Sequence, residues 1–192
     1  MGAGPRVGAR RAKCREGASI PSRESRLRNP ILRPAPATLS SIEVVRRDGQ
    51  LCVVATRKVR PGDRVLFLDG MLSRVPSRYS VQIDADVHVE VPEDEEVDAE
   101  RVIHRYPWRS LNHACAPSAR IVGRDLLAIG ALRAGDEVTF DYETTEWDMA
   151  SPFRCVCSAC GGRTIRGFRW LSREEREKRR PHLAAHLLAR LH

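Results

Sequence analysis

Aromatic residues are scarce in this chain: Phe, Trp and Tyr together make up 5% of its 192 residues. Each large ring is therefore reserved for a specific packing or binding task. Lysine is scarcer still. Lys13, Lys58 and Lys178 are the only three, so the 33 Lys and Arg residues are almost all arginine. No apolar run approaches the ~18–20 residues of a membrane-spanning helix, which excludes that class. Sustained heptads and collagen-type repeats are missing too, and no internal repeat is present. The N-terminus has no apolar stretch of the secretory-signal kind. Clustered cysteines in such a chain read as metal ligands before they read as a disulfide framework.

What is present in excess is positive charge. The net charge is +8 and the isoelectric point about 9.7, which points first to nucleic acid. The charge is unevenly placed. Residues 1–38 hold nine Arg or Lys against two acids, a balance of +7. Residues 84–100 hold nine acids and no Arg or Lys, and residues 39–192 together sum to only +1. The case for nucleic acid therefore rests on the N-terminal arm, where it amounts to weak, salt-sensitive contact. Pro30, Pro34 and Pro36 break any helix there, and the segment is expected to be a disordered basic arm. An organellar transit peptide and a mis-assigned start are the alternatives.

From Ile42 onward the pattern is one of short β-branched runs between turns. Ile42–Val45 and Leu51–Ala55 flank Asp48-Gly49 as a hairpin. Val65–Leu68, Tyr79–Ile83, Val87–Val91, Asp125–Ile129 and Glu137–Tyr142 read as further strands. Pro92–Glu100 is too acidic to pack and is expected to be an exposed loop. A convincing helix signal appears only after Ser172, which has Glu175 three residues on, the spacing of a capping box. Leu183, Leu187 and Leu191 then recur at helical spacing, with Leu188 beside them and Pro181 interrupting. That stripe is expected to be a packing face. The fold class is therefore mostly β, with a terminal helix over 172–192.

Three residue groups carry chemistry. Cys155, Cys157 and Cys160 lie within six residues and supply three thiolates, one short of a tetrahedral zinc site. Cys115 is the natural fourth ligand, with His113, Cys52 and Cys14 as weaker candidates. The second group is Leu111-Asn112-His113-Ala114-Cys115-Ala116-Pro117. The third is Gly135-Asp136-Glu137-Val138-Thr139-Phe140-Asp141-Tyr142. An Asn-His pair in a turn, or a tyrosine ending a strand, is ordinarily structural.

In this order the groups resemble the SET-domain protein-lysine methyltransferases, as a small member with a post-SET zinc segment. Asp48-Gly49 with Ala55-Thr56-Arg57 is similar to the family's opening strand pair. Asn112-His113-x-Cys115-x-Pro117 and the run ending at Tyr142 are similar to its two signature motifs, and Cys155-x-Cys157 with Cys160 to its post-SET cysteines. The resemblance covers residues 42–171. Leu51 stands where the family usually has a second glycine, and the cysteine cluster is two residues tighter than usual.

The resemblance implies a β-clip fold of short curved sheets with a C-terminal pseudoknot, an exception to unknotted connections. It implies a SET domain over 39–150, a zinc segment over 151–171 and a helix over 172–192. By the same likeness Tyr142 and Phe140 line the transfer site, with Phe140 leaving room for more than one methyl group. Asn112, His113 and Gly49 bind S-adenosyl-L-methionine, with Arg57, Arg109, Trp147 and Phe168 as further contacts. Cys115, Cys155, Cys157 and Cys160 hold a structural zinc ion. The implied activity is methyl transfer to the ε-amine of a protein lysine. A small-molecule amine or free amino acid as acceptor is one alternative, and a catalytically silent interaction module is the other. The acidic run is expected to be a solvated loop or a docking surface for a basic peptide. A monomer is expected, in the cytoplasm or, in a eukaryote, the nucleus or an organelle, without membrane partners.

Overall fold

Asp48 and Gly49 both take positive φ, 48° and 81°, the backbone that a two-residue hairpin turn of the right twist requires. Around them β1 (Ile42–Arg47) pairs antiparallel with β2 (Gln50–Ala55), from Ile42 opposite Ala55 to Arg47 opposite Gln50. Cys52 to Ala55 are buried on both faces, which explains a continuous apolar run where a half-buried strand would alternate. The computed structural model describes residues 41–95, 98–157 and 159–191. The expected N-terminal arm lies outside them, as do Cys14 and Glu96.

The remaining strands are β3 (Arg64–Phe67), β4 (Met71–Ser73), β5 (Val81–Asp84), β6 (Val87–Glu90), β7 (Asn112–His113), β8 (Ala119–Val122), β9 (Asp125–Ala128), β10 (Thr139–Phe140), β11 (Phe153–Arg154) and β12 (Thr164–Ile165). They form sheets of two or three strands: β1-β2, β3-β9-β8, β4-β6-β5, β7-β10 and β11-β12. The chain is mostly β, built from short sheets with helix at its C-terminal end, as the sequence pattern predicts. Trp108, Tyr106, Leu68, Ile121 and Leu126 are sealed at the centre of the main core. Three of the ten aromatic rings, Tyr106, Trp108 and Phe140, are buried in this core, and the Trp108 indole N–H donates to the Asp69 carbonyl at 2.7 Å, as a buried indole requires.

Three expectations are corrected. The acidic stretch is not one loop. It ends in α1 (Ala99–Arg105), because the Asp98 carboxylate accepts from the N–H groups of Glu100 and Arg101 and Val102 is buried. Asp98 is an N-cap, and a tally of acids conceals that. The strand expected from Tyr79 begins at Val81, because the Ser77 hydroxyl accepts from the N–H groups of Tyr79 and Ser80 and holds them in a turn. The terminal helix is broken in two. α2 (Arg173–Arg179) has the expected capping box of Ser172 and Glu175. Pro181 then forces a 3-10 turn over Arg180–His182, and α3 (Ala185–Leu188) follows.

The terminal segment has its own core of Phe168, Leu171, Leu183 and Leu187, with Trp147 and Leu191 against it. Leu188 is exposed. Gly167 (φ 113°) permits the close approach on which this docking depends: a Cβ there would lie 2.7 Å from the Trp147 carbonyl oxygen. No helix among the described residues is long and apolar enough to cross a membrane. Leu187→Ala should cost about 2–5 kcal/mol, measured by denaturant unfolding, because Leu187 is fully enclosed. Leu188→Ala should change stability little.

Candidate active site and metal centre

The four cysteines converge. The Sγ atoms of Cys115, Cys155, Cys157 and Cys160 all lie within 4.8 Å of one another. Cys115 follows β7, and the other three sit at the head of the β11–β12 hairpin, where the Cys155 N–H donates to the Arg163 carbonyl at 2.9 Å. Ligands 2.3 Å from a tetrahedral zinc stand about 3.8 Å apart. The Cys157 and Cys160 sulfurs are already 3.6 Å apart, so the set fits that ion despite its tight spacing. Burial pushes the Cys115 thiol up to about 12, whereas a hydrogen bond from the Cys115 backbone holds Cys157 down to about 6. Four neighbouring thiolates repel one another, and a divalent cation is what would keep all four deprotonated. Cys52 is not part of the group; its sulfur faces the Val45 carbonyl at 3.7 Å.

The two signature segments meet as a parallel pair. β7 lies along β10, with Asn112 opposite Thr139 and His113 opposite Phe140. The run from Glu137 changes partners: Val138 donates to the Val53 carbonyl on β2 before Thr139 joins β7. Asn112 is locked in this junction. Its amide donates to the Leu51 carbonyl at 3.0 Å and to Glu137 at 2.9 Å, and its oxygen accepts from Gln50 at 2.9 Å. Asn112 thus ties the hairpin tip, including Gly49, to the central pair.

The His113 side chain is only 2% exposed, although the residue as a whole is half-buried; what it offers to solvent is main chain. Its ring is spoken for. Nδ1 accepts the Tyr142 N–H at 3.2 Å, so a neutral ring carries its proton on Nε2, 3.2 Å from the Cys115 sulfur. Burial draws its pKa down to about 4, which keeps it neutral at pH 7. One imidazole therefore bridges the Cys115 sulfur and the backbone of Tyr142, the arrangement an outer-shell partner would take if Cys115 held a metal.

Tyr142 stands between two buried carboxylates. Asp141 is 3% exposed and Glu143 1%. Arg179, from α2, donates to Asp141 at 2.7 Å and reaches Glu143 at 3.4 Å, and Arg163 pairs directly with Glu143. Two buried anions need such partners. The C-terminal segment grips the same stretch twice more, through Ala184 N–H to the Thr144 carbonyl and the His186 ring to the Thr145 carbonyl, each at 2.8 Å. Sequence reasoning missed Glu143, Arg163 and Arg179. The one available signal was an acid on each side of a strand-ending tyrosine.

The Tyr142 hydroxyl donates to the Leu111 carbonyl at 2.6 Å, and burial raises its pKa. Phe140 packs against the Tyr142 ring with centroids 4.7 Å apart. Both line a cavity of about 60 Å³ with Tyr79, Trp108, Arg109 and Leu111. Arg109 lies over the Tyr79 ring, 4.4 Å from its centroid. The remaining candidates are placed elsewhere. Arg57 lines a separate groove with Ser41, Val59, Asp63 and Arg64. Trp147 is tilted against Phe168 at 6.1 Å, with Arg190 over its ring at 4.5 Å. Phe168 is fully buried in the terminal core.

No family model matches the chain. A methyltransferase named flvH from Aspergillus flavus is 43% identical over 56 residues, covering 25% of this chain and 29% of that protein. The chain thus spans under a third of the curated relative's length. Among solved structures, KRYPTONITE in complex with mCHG DNA and SAH aligns at 19% identity with a TM-score of 0.44, over 64% of this chain and 28% of that one.

Two measurements check this site. The purified full chain should hold about one zinc ion by elemental analysis and lose several degrees of thermal stability on chelation; a zinc-free chain with the same melting temperature would contradict the ligand set. Arg179→Met should cost about 3–5 kcal/mol in denaturant unfolding, because it strips a cation from two buried carboxylates.

Proposed function

We propose that the chain is an S-adenosylmethionine-dependent N-methyltransferase acting on the ε-amine of protein lysine, a member of the SET-domain family resembled by its motifs. The observation that carries this reading is the β7–β10 pair. It sets Asn112-His113 beside the strand that leads to Tyr142, with four cysteines gathered at one end and a cavity at Tyr142. The local identity to a fungal methyltransferase supports it. The same reading carries the β-clip with its pseudoknot as the proposed topology.

Bound S-adenosylmethionine would supply an electrophilic methyl group on a sulfonium. The exposed main chain of His113 is where this chain would receive it. Asn112, with all its polar atoms engaged, acts by fixing that strand. The Tyr142 hydroxyl spends its hydrogen on Leu111, so its lone pairs face outward as acceptors for an amine N–H or for weak C–H contacts. Phe140, Trp108 and Leu111 provide an apolar wall, which favours the uncharged form of an entering amine. Zinc held by the four cysteines would order residues 151–171 against β7. Positioning is the main service these groups give to an in-line displacement.

The test is incubation of the full chain with S-adenosylmethionine labelled in the methyl group and a whole-cell lysate. Label should appear in protein and, after hydrolysis, on lysine. Tyr142→Phe should reduce incorporation by roughly 10²-fold. Label confined to small molecules would replace protein with a small amine as acceptor, and no label at all would overturn the enzyme reading.

A further inference from the structure

One buried carboxylate in the site has no cation among the described residues. Glu146 is 8% exposed and lines the Tyr142 cavity. It lies one turn beyond Tyr142, and its N–H donates to the Tyr142 carbonyl at 2.8 Å. Both hydrogen bonds to its carboxylate fall on one oxygen: Oε1 accepts the Gln82 N–H at 2.8 Å and the Thr145 hydroxyl at 3.4 Å. No Arg or Lys among the described residues pairs with it, whereas Asp141 and Glu143 share Arg179. A buried carboxylate without a counter-ion is costly. The fold does not need the charge, since a neutral Gln would accept the Gln82 N–H equally well.

We infer that Glu146 is the acceptor-binding carboxylate of this site, pairing with the ammonium of an incoming lysine and taking one proton from it beside Tyr142. This rests on the methyltransferase reading. The proton balance is complete. One N–H bond breaks, an O–H bond forms on Glu146, and the pair left on nitrogen attacks the methyl carbon as the carbon–sulfur bond breaks toward sulfur. The product amine is cationic again, and Glu146 passes its proton to solvent before the next turnover. One proton is released per methyl group, as the overall reaction requires.

The surroundings agree. Burial lifts Glu146 to about 7, so it exchanges protons near neutral pH. The other charged or titratable groups facing this region are few. Arg78 and Arg109 line the same cavity but both lie over the Tyr79 ring. The Tyr142 phenol is pushed up by burial and does not titrate there. His186, beneath Thr145, is held neutral by burial. The carboxylate would thus select acceptors that arrive as cations and reject alcohols and thiols.

The experiment uses the full chain labelled with carbon-13 at glutamate carboxyls, with Glu146→Gln assigning the Glu146 signal by its loss. The probes are Nα-acetyl-lysine methylamide and its norleucine analogue, which has the same chain without the amine. The Glu146 signal should titrate well above the ordinary carboxylate range, move with the lysine probe and stay still with norleucine. Glu146→Gln should bind the lysine probe at least tenfold more weakly. Glu146→Asp, which keeps a carboxylate, provides a second assignment should the Gln variant fail to fold. Equal responses to the two probes, or none, overturn the inference. Calorimetry with S-adenosylmethionine separates the two readings. Failure of wild type to bind the donor sinks the methyltransferase reading. Donor binding with an unmoved Glu146 signal sinks this inference alone.

Discussion

The pairing of Asp141 and Glu143 with Arg163 and Arg179 is the interaction on which the site depends. Both carboxylates are buried, and Tyr142 lies between them in the chain. Their cations come from two later segments, the β11–β12 hairpin and helix α2. The backbone that carries the tyrosine is therefore held from its C-terminal side by residues that fold onto it last in the sequence. Breaking one partner leaves an uncompensated charge in a low-dielectric interior, which is why such pairs resist partial loss. The helix signal in the tail is in this sense tied to the candidate site.

A second tie comes from the opposite direction. His113 accepts from the Tyr142 N–H with one nitrogen and faces the Cys115 sulfur with the other. The cysteine cluster and the tyrosine are thus two ends of one short chain of contacts, with Asn112 fastening the same strand to the hairpin tip. A cluster of thiols can in this way fix the geometry of the tyrosine that lines the cavity. The shared junction is small: two residues on β7 and two on β10.

Three of the four clustered cysteines were legible from their spacing; Cys115 was only the first of several candidates for the fourth place, and the fold is what brings it to the others. The hairpin at Asp48-Gly49 and the capping box at Ser172 were legible because turn and cap chemistry is local. The ion pairs were not, because Arg179 meets Asp141 across 38 residues of sequence, and one arginine among many carries no address. Glu146 was passed over for a related reason. A glutamate in sequence reads as solvent-facing by default, and only the packing of Gln82 and Thr145 around it shows otherwise. The acidic run misled in the other direction, since a charge count hid the Asp98 cap that turns its end into a helix. Phe168, read from the resemblance as a cofactor contact, lies in the terminal core, where the Leu183 and Leu187 periodicity meets it.

On the proposed function, the β7–β10 junction receives a methyl donor whose methyl group faces the Tyr142 cavity. A crystal structure of the full chain with S-adenosylhomocysteine tests it most directly. The ligand should lie against the main chain of His113, with its sulfur directed toward Tyr142. A ligand bound away from that strand, or facing away from the cavity, would contradict it.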